Sequence, residues 1–160
     1  MSEIVESTII RAARPEDLPI IGDIVKRAYS VYLSRMDRKP FPMLEDYGAR
    51  LANNQLSVLE ANGRVYGYIV LVYQNDGSLL LDNIGVDPER QCMGYGAELL
   101  KFAEREASRM GLNRIITYTN EAMSENLGWY QKHGYEIAGR RLENGYRRIY
   151  FAKRPRIYSE

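Results

Sequence analysis

The sequence predicts a mixed α/β fold in a single domain, residues 1–160, built on a mostly antiparallel sheet of about seven strands with helices on its faces. Three observations carry that expectation. Two Asn-Gly pairs, Asn62-Gly63 and Asn144-Gly145, each stand between runs rich in β-branched and aromatic residues, the strongest short signal for an antiparallel hairpin. Segments with apolar residues every third or fourth position alternate with those runs, as amphipathic helices do. No repeat, low-complexity tract or linker divides the 160 residues, and a chain near this size hides roughly two-thirds of its unfolded surface in one core.

Taken in order, Thr8 to Arg14 reads as a strand, and Pro15-Glu16-Asp17 opens a helix with proline early and acids in the first turn. The series Leu18, Ile21, Val25, Ala28 and Tyr32 gives that helix one buried face and carries it to about Ser34 or Arg35. Pro40 and Pro42 make Met36 to Glu45 a loop, followed by a short helix from Leu44 to Asn53. Leu56 to Ala61 and Arg64 to Tyr73 pair around Asn62-Gly63, and Leu79 to Val86 adds a third strand after the turn Asn75-Asp76-Gly77. A loop from Asp87 to Met93 leads into a helix from Gly94 to Met110, whose inner face is Leu99, Leu100, Ala103, Ala107 and Met110, and Gly111 stops it. Arg114 to Thr119 is a strand, Met123 to His133 a helix capped by Gly134, and Tyr135 to Arg141 and Tyr146 to Lys153 form the last hairpin.

Composition excludes several chemistries. Lys and Arg total 22 against 21 for Asp and Glu, so a net charge of +1 gives no global field to gather nucleic acid or anionic lipid. No run approaches the roughly 18 apolar residues of a membrane span, and the start, Met-Ser-Glu-Ile-Val-Glu-Ser, has neither the basic nor the apolar part of a secretory signal. A cytoplasmic protein that uses no membrane is the expectation. Cys92 is the only cysteine and His133 the only histidine, too few for a zinc site or a His-dependent triad, so no metal is expected. Tyrosines, carboxylates, amides and backbone must carry the chemistry.

The informative segment is Val86-Asp87-Pro88-Glu89-Arg90-Gln91-Cys92-Met93-Gly94-Tyr95-Gly96, between a strand and a helix. Exposed amides at a helix start, the positive end of the helix dipole, and glycines that admit close approach together suit a pyrophosphate. A dinucleotide fingerprint fails, because its third glycine would fall at Leu99 and the loop is too long. A P-loop fails for want of Gly-Lys-Ser/Thr. The segment resembles motif A of the GNAT superfamily of acetyl-CoA-dependent N-acetyltransferases, which runs Val-x-Pro, two residues, Gln or Arg, Gly, x, Gly, x, Gly or Ala. Val86, Pro88, Gln91, Gly94 and Gly96 match in order and spacing, and Cys92 stands where the first glycine usually lies. Asn120 to Tyr135 is similar to the family's motif B, in which a helix carries a tyrosine shortly before Gly-Phe or Gly-Tyr; Tyr130 takes that place. Met123 and Asn126 occupy the positions usually held by Asn and a small residue.

The resemblance implies a GNAT-like fold with helices on both faces, acetyl-CoA as co-substrate, and transfer to a primary amine of a small molecule or peptide. It places the cofactor on Gln91, Cys92, Met93, Gly94, Tyr95 and Gly96, on the backbone of Ile84, Gly85 and Val86, and beside Asn120, Asn126 and Tyr130. It makes Tyr130 the proton donor to the leaving thiolate. The chain has 13 tyrosines, most of which must be structural, so only its motif position singles Tyr130 out. Asp82, inside an apolar strand, is the candidate base, although a salt bridge explains a buried carboxylate equally well; Glu60 and Glu125 are weaker candidates. Gly85 fits a close backbone approach or a bulge, or only relieves crowding. Cys92 reads as a small loop residue and not a nucleophile, since no basic partner stands near it.

Two rival readings remain. A domain of the same fold could bind acyl-CoA without catalysis, as a sensor. Arg140, Arg141, Arg147, Arg148, Lys153, Arg154 and Arg156, interleaved with Tyr146, Tyr150 and Phe151, could bind nucleic acid, but strand alternation favours exposed arginines on a solvated face. The acceptor cannot be read from the substrate loops, and the oligomeric state is left open, a homodimer included.

Overall fold

A computed structural model describes residues 7–155. The N-terminal residues 1–6, read above for a leader, and Arg156 lie outside the described residues. Seven strands form one sheet in the order β1-β2-β3-β4-β5-β7-β6. They are β1 (Thr8–Ala12), β2 (Leu56–Ala61), β3 (Arg64–Tyr73), β4 (Ser78–Val86), β5 (Arg114–Asn120), β6 (Glu136–Glu143) and β7 (Tyr146–Lys153). The helices are α1 (Leu18–Tyr29), α2 (Tyr47–Ala52), α3 (Tyr95–Arg109) and α4 (Ser124–Lys132).

Every neighbouring pair is antiparallel except β4 and β5. That one parallel pair follows from its connection: α3 lies between the two strands in sequence, and a helical crossover returns the chain to run in the same direction. The hairpin turns have the conformation that Asn-Gly favours, with φ of 53° and 77° at Asn62 and Gly63 and of 50° and 83° at Asn144 and Gly145.

The sheet separates two cores. On one face α1 buries Ile21, Ile24 and Val25 against Leu56, Val58, Tyr68 and Val70. On the other, α3 lays Leu99, Leu100, Ala103 and Ala107 on Ile69, Leu79, Leu81, Ile115 and Phe151, with Tyr130 of α4 in the same cluster. Helices therefore cover both faces, as expected. Met110 does not join the inner face of α3: it is 40% exposed, because the helix ends at Arg109 and Tyr95 supplies the extra buried position at its other end.

The first helix is shorter than its apolar pattern. A 3-10 turn, Pro15–Asp17, precedes it, and from Ser30 to Arg35 the chain tightens into 3-10 geometry, which leaves Tyr32 only half-buried. Asp17 holds the entry, accepting from the Arg14 amide at 2.7 Å and from Arg11 at 2.7 Å. The segment expected as a helix from Leu44 begins at Tyr47, where the Asp46 carboxylate caps it by accepting from the Ala49 amide.

Candidate active site

The site is built where β4 and β5 part. They pair in register only from Ser78↔Arg114 to Leu81↔Thr117, and the last rung carries an added bond from the Thr117 hydroxyl to the Leu81 carbonyl at 2.9 Å. Beyond it β4 stays paired with β3 through Ile84, Gly85 and Val86, while its edge toward β5 is open. A bulge marks the parting: Val70 faces Asn83 and Leu71 faces Leu81, so Asp82 is the extra residue. Two consecutive side chains then engage the same helix, Asp82 with Arg50 and Asn83 with the Tyr47 hydroxyl at 2.9 Å.

A cavity of about 570 Å³ fills the gap, lined on one side by Asp82 to Val86 and on the other by Tyr118, Thr119 and Asn120. The start of α3 contributes Gln91, Gly94, Gly96 and Ala97, and α4 contributes Asn126, Trp129 and Tyr130. Tyr29, Tyr32, Phe41, Tyr146 and Arg148 complete the lining.

The loop after β4 is a 3-10 helix, Pro88–Met93, that ends in a left-handed Gly94 with φ of 80°. A Cβ at Gly94 would meet no atom within 4 Å, so the space over this backbone is open. The first intrahelical bond of α3 runs from Glu98 N to Gly94 O, so the amides of Gly96 and Ala97, in the first turn, precede the regular bonding of the helix. This is a polar cradle at a helix start, with the chemistry a pyrophosphate needs. Gly96 has a different reason to be glycine: a Cβ there would come within 2.9 Å of the Trp129 ring, which seats α4 on α3.

Side chains of the loop divide. Gln91 reaches toward the Val86 carbonyl at 3.5 Å, Cys92 and Met93 are exposed, and the Tyr95 ring is buried beside Tyr66. Cys92, Met93 and Tyr95 thus do not line the cavity, and only their backbone could meet a ligand there. Gly85 is not at the bulge. A Cβ on it would lie 2.4 Å from Tyr68 Cε1, so glycine there makes room for the Tyr68 ring across the strand pair.

Tyr130 is buried, packed at 5.2 Å from Phe151 and 5.5 Å from Tyr135. Burial pushes its phenol up to about 12, the Thr117 hydroxyl acting weakly in the opposite sense, so the group is protonated at neutral pH. Asn126 donates to the Thr119 hydroxyl at 3.2 Å, and Asn120 accepts from the Ala122 amide at 2.8 Å, which fixes the entry to α4.

Asp82 is 8% exposed and accepts from the Tyr118 hydroxyl at 2.8 Å, with Arg50 at 3.5 Å. Arg50 is shared with Glu45 and Gln55. Burial first, then the neighbouring Asp82, raises the Tyr118 phenol well above its ordinary value. Of the weaker base candidates, Glu60 is held by Arg11 at 3.0 Å on β2 and does not line the cavity. Glu125 lines it but is half-exposed and bound to Arg35 at 2.6 Å, which lowers its pKa.

Sequence reasoning missed the groups that position the loop. Arg27 of α1 grips Asp87 through two bonds of 2.8 Å, and Asp87 also caps the 3-10 helix by accepting from the Glu89 amide at 3.0 Å. The Tyr29 hydroxyl donates to the Ile84 carbonyl at 2.7 Å, steadying β4 past the point where β5 leaves it. Asp87 stood next to the motif proline, but its partner is 60 residues away and no periodicity points to it. The basic residues at the C-terminal hairpin lie on both faces: Arg141 pairs opposite Arg148 on one, and Arg140 opposite Ile149 on the other. Among the described residues no cluster of His, Cys, Asp and Glu could hold a metal, and no helix is long and apolar enough to cross a membrane.

Comparison with known proteins agrees with this fold. No curated protein matches the chain in sequence. Several solved structures share its fold. The PaiA N-acetyltransferase from Thermoplasma acidophilum in complex with coenzyme A superposes with a TM-score of 0.75 at 18% identity, covering 92% of this chain and 99% of that one. The ribosomal-protein-S18-alanine N-acetyltransferase from Escherichia coli gives 0.70 at 19% identity, over 96% and 97% of the two chains. The IAA acetyltransferase from Bacillus cereus ATCC 14579 gives 0.67 at 21% identity, over 92% and 99%. The sequence profile of the acetyltransferase (GNAT) domain matches residues 52–137, a span that runs from α2 through the parted strands to the start of β6, and the chain belongs to this family of acetyltransferases.

Proposed function

We propose that the protein transfers the acetyl group of acetyl-CoA to a primary amine of a small molecule or peptide, by direct attack within a ternary complex. The observation that carries this reading is the fork after Leu81 and Thr117, where one cavity meets the start of α3, the open edge of β4 and the buried Tyr130 phenol. Acetyl-CoA supplies an activated acetyl thioester. The amides at the start of α3 suit its pyrophosphate, with Arg27 and Asp87 holding their loop in place. The free edge of β4 at Ile84 to Val86 suits the pantetheine amides and the thioester oxygen, and Asn120 and Asn126 face the same arm.

Tyr130 keeps its proton at neutral pH and so acts as donor to the departing sulfur. Asp82 takes the proton from the amine, and the Tyr118 hydroxyl and Arg50 keep its carboxylate oriented. The test is a screen of acetyl-CoA turnover over amines, with thiol release as readout and the CoA-induced rise in melting temperature as a binding control. Turnover with any amine supports the reading. Stable CoA binding without turnover on any amine would favour the sensor.

A further inference from the structure

The cavity holds a charge that acetyl transfer by Tyr130 and Asp82 leaves unused. Alternation along β7 sends Ile149 and Phe151 into the core beneath α3 and turns Tyr146, Arg148 and Tyr150 to the other face. Arg148 and Tyr146 there line the cavity. The guanidinium carbon of Arg148 lies 4.5 Å from the centre of the Tyr118 ring and 5.4 Å from those of Phe41 and Tyr146. Its side chain is only 11% exposed.

A cation taken out of water this far normally holds a carboxylate at hydrogen-bond distance. Arg11, 18% exposed, does so and meets Asp17 at 2.7 Å, and even the more exposed Arg27 and Arg35 meet Asp87 at 2.8 Å and Glu125 at 2.6 Å. For Arg148 the nearest carboxylate among the described residues is Glu143 at 3.9 Å, and that group accepts from the Tyr150 hydroxyl instead. The Tyr150 hydroxyl, a neutral group, is a further polar neighbour of the guanidinium. Aromatic rings stabilise the guanidinium from its faces but leave the in-plane N–H donors of the fork without an anion at hydrogen-bond distance. One ring connects this cation to the other pole of the site, because Tyr118 donates to Asp82 at 2.8 Å and presents its face to Arg148.

We propose that Arg148 binds a carboxylate of the acceptor, so that the protein acetylates a small amino-acid-like zwitterion, its amine toward Asp82 and its carboxylate on the Arg148 fork. The inference rests on the acetyltransferase reading and narrows it. A planar fork matches a carboxylate with two parallel bonds, which gives orientation as well as attraction. Asp82 at the far side of Tyr118 suits the ammonium end of the same molecule before its proton is removed.

The experiment compares straight-chain amino acids of increasing length with their own carboxamides as acceptors, measuring thiol release by the wild-type protein and by Arg148→Gln and Arg148→Lys. The wild type should favour the acid over the amide by about 10- to 100-fold in kcat/KM, expressed mostly in KM, at the chain length that spans the two poles. Arg148→Gln should bring the ratio close to one, and Arg148→Lys, which keeps the charge without the fork, should fall between. The wild-type comparison needs no variant, so it decides even if Arg148→Gln does not fold. A wild-type ratio near one at every length, or a preference that survives in a folded Arg148→Gln, overturns the inference while the acetyltransferase reading stands. If no amine of either series releases thiol and CoA leaves the melting temperature unchanged, both readings fall together.

Discussion

Tyr130 and Gly94 carry the sharpest expectations at the scale of single residues. Tyr130→Phe removes one hydroxyl from a ring packed among Trp129, Tyr135 and Phe151. As proton donor it should lower kcat by roughly 10²-fold with CoA affinity nearly intact. Unchanged turnover in a stable Tyr130→Phe protein would remove the hydroxyl from the mechanism. Gly94 has a φ of 80° with open space over it. A β-branched residue such as Val is strained in that conformation, so Gly94→Val should lose both stability and binding, whereas Asn tolerates it. Gly94→Asn should therefore stay folded and weaken CoA binding about tenfold by filling the open space, as calorimetry would show; full affinity would mean that the pyrophosphate lies elsewhere.

At the scale of elements, the clamp from α1 to the loop after β4 is the coupling to test. The Arg27 guanidinium holds the Asp87 carboxyl below the usual carboxylate range, more than offsetting burial, which acts the other way. A carboxylate whose folded pKa lies below its unfolded value stabilises the protein fully above that unfolded value, near 3.9, and loses the contribution as pH falls through the folded one. Asp87→Asn should thus be less stable than wild type at neutral pH by about 1 kcal/mol, a modest figure because Arg27 is 37% exposed and screened. Denaturant titrations at descending pH should show the gap closing below about pH 4, and a gap that persists undiminished would mean that packing and not charge is at work. The same variant should bind CoA more weakly, since the loop loses its two-bond anchor to Arg27, while the Asn oxygen can still cap the Glu89 amide. Gly85→Ala tests another element contact: its Cβ would press on the Tyr68 ring and shift β4 against β3, with a loss of about 1 to 3 kcal/mol in stability.

For the molecule as a whole, the parted strands make one cavity from both cores, so occupancy and global stability should be linked. CoA and acetyl-CoA should both raise the melting temperature, because they share the pyrophosphate and pantetheine that the loop and β4 suit. At a ligand concentration about a hundred times Kd the gain is about 2.7 kcal/mol, several degrees for a domain of this size. No shift at millimolar CoA would contradict the assignment of the cavity.

By itself the sequence determined the elements, their order, the hairpin turns and the loop that resembles motif A, because these rest on local signals: Asn-Gly at left-handed φ, three- and four-residue apolar spacing, and the strand-to-helix glycines. It marked Tyr130 through the run that ends at Tyr135, and it marked Asp82 as a carboxylate in an apolar strand. Tertiary structure alone decided which groups those residues meet. The bulge sits at Asp82 and not at Gly85, since bulge position depends on the register between β3 and β4. Arg27 reaches Asp87 across 60 residues, and Arg148 turns into the cavity while Arg147 beside it is exposed. Such pairings reflect the register of strands and the seating of helices on a sheet, and these are fixed by the packing of the whole core rather than by any local pattern.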